Sequence, residues 1–288
     1  MDEYGPLLVA SCFYVVVFIL GHVSRQFIRR NLDPSSSRYK FLIEAITTAQ
    51  MCTCVYENGT LICFLIEIYF KRCQLYLNAD SLPFEAVITR NYGPWGFLFV
   101  VSTVLTVGTN VNGGGYVSPL TPIELYVKKS LSLKSLLEII FGQVVGGYAA
   151  FRIARNLWYS TSRFSSEHLL SYESTKCAFV YKVPFFVAFA FEFIGCFLLR
   201  YINAKIPIRY KKYIAPVLTA SFLSFSLAFI GVVGLNPTVS ASRMFGCDGL
   251  NTLWFIATYW VCPTLGWLAG ATFDSSYHSI SEKTNKQA

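Results

Sequence analysis

Gly231-Val232-Val233-Gly234-Leu235-Asn236-Pro237-Thr238 closes an apolar run that begins at Ala215. Proline cannot continue a helix already in progress, but it fits the first helical position. The asparagine before it is a good N-cap. The triplet Asn236-Pro237-Thr238 therefore reads as a new helix starting beside hydrocarbon, with its positive end aimed inward. Non-helical backbone at membrane depth is tolerated only where protein buries it or where it lines a wet cavity. That makes the triplet a candidate pore element.

The rest of the chain fits a membrane setting. Of its 288 residues 54% are hydrophobic and 14% charged, and mean hydropathy is +0.46. Soluble domains carry roughly 25% charged residues, so a soluble globule is excluded. The net charge of +8 comes without a basic patch interleaved with aromatics, so no nucleic-acid partner is expected. Seven apolar segments stand out, at about 6–24, 39–57, 94–111, 131–151, 180–200, 213–233 and 252–273. Each can cross roughly 30 Å of hydrocarbon. The first is preceded by Asp2 and Glu3 and followed by Arg25, Arg29 and Arg30. A secretory signal would carry its basic flank first. The segment reads as a retained helix with its N-terminus outside, or as a helix lying on the membrane surface. Alternating the spans from there puts fifteen of the 24 basic residues on the cytoplasmic side, as the positive-inside rule expects.

Residues 61–70 are apolar but too short to span, and 71–93 read as an outside loop. The polar stretch 153–178 divides the chain into two halves that resemble each other. Each half places one glutamate in its first span, Glu44 and Glu192. Each then runs into a Pro-marked loop, Ser118-Pro119-Leu120 and Asn236-Pro237-Thr238. Each ends on a helix with a small-residue motif, Gln143 to Gly146-Gly147 and Pro263 to Gly266. Three spans per half imply inverted repeats.

These residues resemble the aquaporins, or major intrinsic proteins, over about 39–273. Asn236-Pro237-Thr238 is similar to the family's second Asn-Pro-Ala box, and Ser118-Pro119-Leu120 to a degenerate first box. Gln143, Gly146 and Gly147 resemble its third helix; Pro263 and Gly266 resemble its last; Glu44 and Glu192 match its paired glutamates. A rival start for the first half-helix is the capping box Thr121-Pro122-Ile123-Glu124. Gly113-Gly114-Gly115 supplies a tight re-entrant turn in either case. Two departures point to the unorthodox superaquaporin subfamily. Val239 stands where orthodox members carry the filter arginine, and Cys247 follows Thr238 by nine residues.

The resemblance implies an all-α polytopic membrane protein: an inverted repeat of six spanning helices plus two re-entrant half-helices, with an extra N-terminal helix. The expected divisions are 1–30 for that helix, 39–152 and 180–273 for the halves, 153–179 for the connector and 274–288 for the tail. It implies that Glu44 and Glu192 accept hydrogen bonds from the re-entrant backbone and support the pore. It places filter residues near Trp95, Phe97 or Leu98, and Ser224 or Phe225. Arg243 shares a helix face with Val239, either as a displaced filter arginine or in a vestibule or packing role.

The function implied is a passive channel for water and small neutral solutes such as glycerol or hydrogen peroxide. The alternative is a non-conducting structural protein of an intracellular membrane. No nucleophile–base or metal cluster appears, so neither an enzyme nor a cofactor is expected. A homotetramer in the lipid bilayer follows by resemblance. The membrane is either intracellular, of endoplasmic-reticulum type, or the plasma membrane. Of nine cysteines, Cys12, Cys52, Cys54, Cys196 and Cys262 lie in apolar runs as buried small hydrophobes. Cys73 and Cys177 lie in loops expected outside the cytosol and are able to pair.

Overall fold

The structure is a computed structural model that describes residues 5–60, 87–173, 177–179, 181–232 and 234–287. The expectations for Cys73 and for residues 61–70 lie outside them. Helix α1 (Gly5–Asn31) is followed by α2 (Ser37–Thr60), α3 (Val87–Val111), the short α4 (Leu120–Val127) and α5 (Leu133–Thr161). After α6 (Ser166–Glu173) come α7 (Phe185–Lys205) and α8 (Ile208–Phe225), which ends in a π-helical turn, Ser226–Ile230. The short α9 (Pro237–Met244) precedes α10 (Thr252–Ile256), a second π-helical turn (Ala257–Val261) and α11 (Cys262–Gln287).

Three boundaries differ from the sequence reading, one of them at the end, where α11 runs to Gln287 through most of the expected tail 274–288. Helix α3 begins at Val87, so part of the expected outside loop is helical. Helix α5 runs ten residues past 151, and α6 occupies much of the expected connector.

Among the described residues five helices are long and apolar enough to cross a membrane: α1, α3, α5, α7 and α8 with its π turn. Helix α2 is not among them because it turns polar side chains into the bundle. Thr47, Thr48, Gln50, Thr53 and Glu57 on it are all buried. The apolar residues of α1 instead split between two faces. Ala10, Phe13 and Val17 are buried, while Val15, Ile19, Val23 and Phe27 are exposed, the inside-out pattern of a helix facing lipid.

Close helix contact explains the small-residue motifs. A Cβ on Gly142 would lie 2.5 Å from the Phe41 carbonyl oxygen, and one on Gly146 2.2 Å from that of Ala45. The second half repeats this. A Cβ on Gly266 would lie 2.1 Å from the Phe193 oxygen, and one on Gly270 2.6 Å from that of Phe197. Small residues four apart let backbones approach within a bilayer, where hydrophobic burial does not drive association. Thus α5 is seated on α2 and α11 on α7, each pair carrying one of the two glutamates.

Candidate functional site

The two half-helices begin in the same way. Val117 and Leu235, the residues before each box, have φ of 62° and 64°. A β-branched or bulky residue there is a genuine outlier, and such strain persists only where surrounding groups over-determine it. Carboxylates do so here. Glu44 accepts hydrogen bonds from the Tyr116 N–H at 2.8 Å and the Val117 N–H at 3.3 Å. Glu192 accepts from the Leu235 N–H at 2.7 Å. Both glutamates are buried, so they satisfy backbone donors that water does not reach. Gly234 makes room for this. A Cβ there would sit 2.0 Å from a Glu192 carboxylate oxygen.

Asn236 caps α9. Its Oδ1 accepts from the N–H groups of Thr238 at 3.1 Å and Val239 at 3.4 Å, and Pro237 follows at the first helical position. Its Nδ2 is turned to the Val117 carbonyl, 3.5 Å away across the two loops. Helix α4 starts after Pro119, and Thr121 falls inside its first turn rather than before it. The rival capping box does not form, because Glu124 points elsewhere. Its carboxylate takes Arg200 at 2.7 Å through two nitrogens, Lys128 at 2.6 Å and the Trp267 indole N–H at 2.7 Å. Ser118 Oγ lies 3.5 Å from the Leu120 nitrogen, too long for a sound cap. The first half-helix is therefore held by its far end and by Glu44, the second by its own asparagine and Glu192.

The half-helices are tied across the repeat. Gln143 donates to Glu44 Oε2 at 3.1 Å and accepts from Thr238 Oγ1 at 3.3 Å. One amide thus joins the first-half glutamate to the second box. Ser242 Oγ donates to the Gly147 carbonyl at 2.7 Å, and the Tyr56 hydroxyl donates to the Ser242 carbonyl. Pro263, the counterpart of Gln143, has no side-chain hydrogen-bonding group, so Glu192 lacks the equivalent clamp.

Val239 is half-buried and packs on the apolar cluster that includes Phe13, Val17 and Met51; Val117 packs on the same cluster. Among the expected filter positions, Phe97 is buried beside Ala10, Val101 and Ala220, and Leu98 packs against that group. Trp95 is 73% exposed and does not enter this packing. Ser224 gives its hydroxyl to the Pro94 carbonyl, whereas Phe225 stacks between Phe191 and Phe229. Arg243 is half-buried and lines a cavity with Tyr56 on the side of α9 facing α5.

Three features escaped the sequence reading. Cys177 bonds to Cys247, which corrects the suggested pairing with Cys73. The backbones around that disulfide are stitched together, Phe179 N–H to the Asp248 carbonyl at 2.9 Å and Asp248 N–H to the Cys177 carbonyl at 3.0 Å. Next, Glu57 is fully buried between the Trp158 indole N–H at 2.8 Å and His168 at 3.0 Å, which docks α6 on the bundle. Finally, Arg25 of α1 is 1% exposed and lies beside Gln50. No motif announces any of these, since each joins residues distant in sequence. Among the described residues, no group of three or more His, Cys, Asp or Glu is placed to hold a metal.

Comparison with protein-family models finds no match. The putative aquaporin-10 of Caenorhabditis elegans is 31% identical over 273 residues, covering 94% of this chain and 87% of that protein. The aquaporin-11 of Milnesium tardigradum is 22% identical over 194 residues, 67% of this chain and 70% of its own. Among solved structures, the aquaglyceroporin from Plasmodium falciparum superposes with a TM-score of 0.52 at 15% identity, over 88% of this chain and 100% of that one. That last likeness concerns the fold alone. The aquaporin-10 relative, aligned along nearly the whole length and through both boxes, decides the matter: the chain belongs to the aquaporin family.

Proposed function

We propose that the protein is a passive transmembrane channel for water and small neutral solutes such as glycerol or hydrogen peroxide, on the superaquaporin branch of its family. The observation that carries this is the meeting of two half-helix starts, with Asn236 Nδ2 of one loop against the Val117 carbonyl of the other. Each helix N-terminus carries roughly +0.5 elementary charge. Two of them facing one passage disfavour cations and hydronium while leaving donors and carbonyls for water.

In this reading Asn236 is the intact polar anchor of the pore, and Ser118 a shorter one with a single donor. Glu44 and Glu192 hold the loops. Val239, in place of a cation, makes the narrow point apolar, so selection rests on size and dipoles. The disulfide side faces the oxidising compartment, which agrees with the basic residues of the opposite face. A homotetramer is the assembly we infer.

Stopped-flow swelling of vesicles containing the purified protein tests the reading. Flux of water, glycerol and hydrogen peroxide no higher than in protein-free vesicles would sink it. A second reading, a non-conducting structural relative, draws on the packing of Val117 and Val239 against one apolar cluster. The same flux measurement separates the two. Chemical crosslinking in native membranes checks the tetramer, and a ladder that stops at the monomer would remove it.

A further inference from the structure

Arg25 points into the bundle from α1 and is 1% exposed, whereas Arg29 and Arg30 on the same helix are exposed. It continues the buried stripe Ala10, Phe13, Val17 and Gly21 that seats α1 on its neighbours. Its Nε, Nη1 and Nη2 are all buried, and none has a hydrogen-bond partner among the described residues. A guanidinium keeps its charge inside proteins. A positive charge so enclosed at membrane depth requires a counter-charge.

The fold does not supply one. The buried carboxylates among the described residues are Glu44, Glu57, Glu124 and Glu192, and each is engaged elsewhere. Glu44 holds Tyr116, Val117 and Gln143; Glu57 holds Trp158 and His168; Glu124 holds Lys128, Arg200 and Trp267; Glu192 holds Leu235. The next charge along the helix face is Arg29, one turn on and of the same sign.

The surroundings of this guanidinium are polar and tight. A Cβ on Gly21 would lie 2.1 Å from Gln50 Oε1 and 3.1 Å from Arg25 Nη1, so only glycine lets the two groups meet there. Gln50 Oε1 also has no partner among the described residues, while Gln50 Nε2 donates to Asn112 Oδ1 at 3.3 Å. Turning both amides over keeps that bond in reverse and brings Gln50 Nε2 beside the guanidinium as a further donor. The Asn112 carbonyl accepts from Thr47 Oγ1 at 3.3 Å, and Asn112 opens the loop that leads to the first box. Arg29 reaches the same loop, since a Cβ on Gly113 would lie 2.2 Å from its Nη2.

We propose that Arg25 and Gln50 bind one small monovalent anion, of the size and charge of chloride, between α1, α2 and the loop that opens at Asn112. The enclosure of Arg25 selects a monatomic ion over a phosphate or a lipid headgroup, which a side chain 1% exposed does not reach. A weakly hydrated guanidinium suits an anion that sheds its own water readily. The exposed Arg29 draws the ion in from solvent. The bound ion ties the N-terminal helix to the first re-entrant loop, and the site does not depend on the protein conducting.

Thermal denaturation of the full chain in detergent, in sodium chloride against sodium gluconate, tests this, because gluconate is too large to enter. For a dissociation constant of about 10 mM, raising chloride from about 1 to about 150 mM at constant sodium should lift the melting temperature by about 3–6 °C. Arg25→Gln should abolish that shift, and Arg30→Gln should keep it. In gluconate Arg25→Gln should melt no lower than the parent, because it removes an unpaired charge; an arginine with a packing role alone would melt lower in both salts when replaced. Chlorine-35 resonance on the parent should show excess line width that saturates and is displaced by bromide. Equal melting in the two salts would overturn the proposal and leave water as the partner of Arg25. A chloride shift that survives Arg25→Gln, or a variant that melts lower in both salts, would overturn it as well. If Arg25→Gln does not fold, Gly21→Ala takes its place, since its methyl crowds the space between amide and guanidinium. An undiminished chloride shift in that variant, or line width in the parent that bromide does not displace, then overturns it.

Discussion

Removal of the Glu44 carboxylate tests how the first re-entrant loop is held. In Glu44→Ala three donors lose their acceptor: the Tyr116 and Val117 N–H groups and Gln143 Nε2. Each orphaned buried donor costs about 1–3 kcal/mol. Some will find water in the space left behind, so about 3–6 kcal/mol is expected for the set. The positive φ of Val117 then also lacks its restraint. At about 2–4 °C per kcal/mol, the melting temperature should fall by about 6–24 °C. Glu44→Gln is the discriminating control. Its amide oxygen can still serve Tyr116, but its NH₂ group meets the donors of Val117 and Gln143. It should therefore lie between the parent and the alanine variant. Thermal denaturation followed by fluorescence-detected size-exclusion chromatography gives the order, and vesicle swelling reports whether the pore survives. An alanine variant melting within about 2 °C of the parent would refute the reasoning, because the carboxylate would then be holding nothing.

Other perturbations probe the remaining joints. Gly146→Leu should block accumulation of folded protein, since even a Cβ would lie 2.2 Å from the Ala45 oxygen; overpacking costs about 1–3 kcal/mol or more, and normal expression with normal flux would contradict it. Arg200→Met should destabilise by about 2–4 kcal/mol because it leaves the buried Glu124 underpaired; pairing it with Glu124→Gln should recover part of the loss, read as a double-mutant cycle of melting temperatures. Cys247→Ser and Cys177→Ser should each cost about 2–4 kcal/mol, and the double variant no more than either alone; additive losses would argue against the bond. Ser118→Asn should raise water flux by restoring a second donor, and unchanged or lower flux would remove Ser118 from the pore wall.

The repeat was legible because its signals are local. Proline after a cap, glycine at four-residue spacing and a lone glutamate in an apolar span each have one physical reading. The pairs that fasten the site were not legible. Glu124 looked like half of a capping box, since its spacing from Thr121 suits one. In the fold its side chain faces Arg200 and Trp267, 76 and 143 residues away. The partner of Cys177 was misjudged because loop position alone cannot rank three cysteines. What decides it is the backbone pairing of 177–179 with 248. The stretch 153–178 reads only as a polar connector because α6 is polar on average. Its anchor, His168, gains its acidic partner only when Glu57 and Trp158 are brought together by the packing of α2 on α5.

Each half-helix is anchored chiefly by groups of the opposite repeat, and this bears on how the chain is made. The ties of α4 reach Arg200 and Trp267; the ties of α9 reach Gln143, Gly147 and Tyr56. During synthesis the second box therefore finds its anchors already in the membrane. The first box emerges some eighty residues before Arg200 and nearly one hundred and fifty before Trp267. For that interval Glu124 has only Lys128 of its eventual partners, and the first loop must wait, half-secured by Glu44. A nascent chain arrested between the two halves should leave α4 open to modification from the cytosolic side, and one that has passed Trp267 should not.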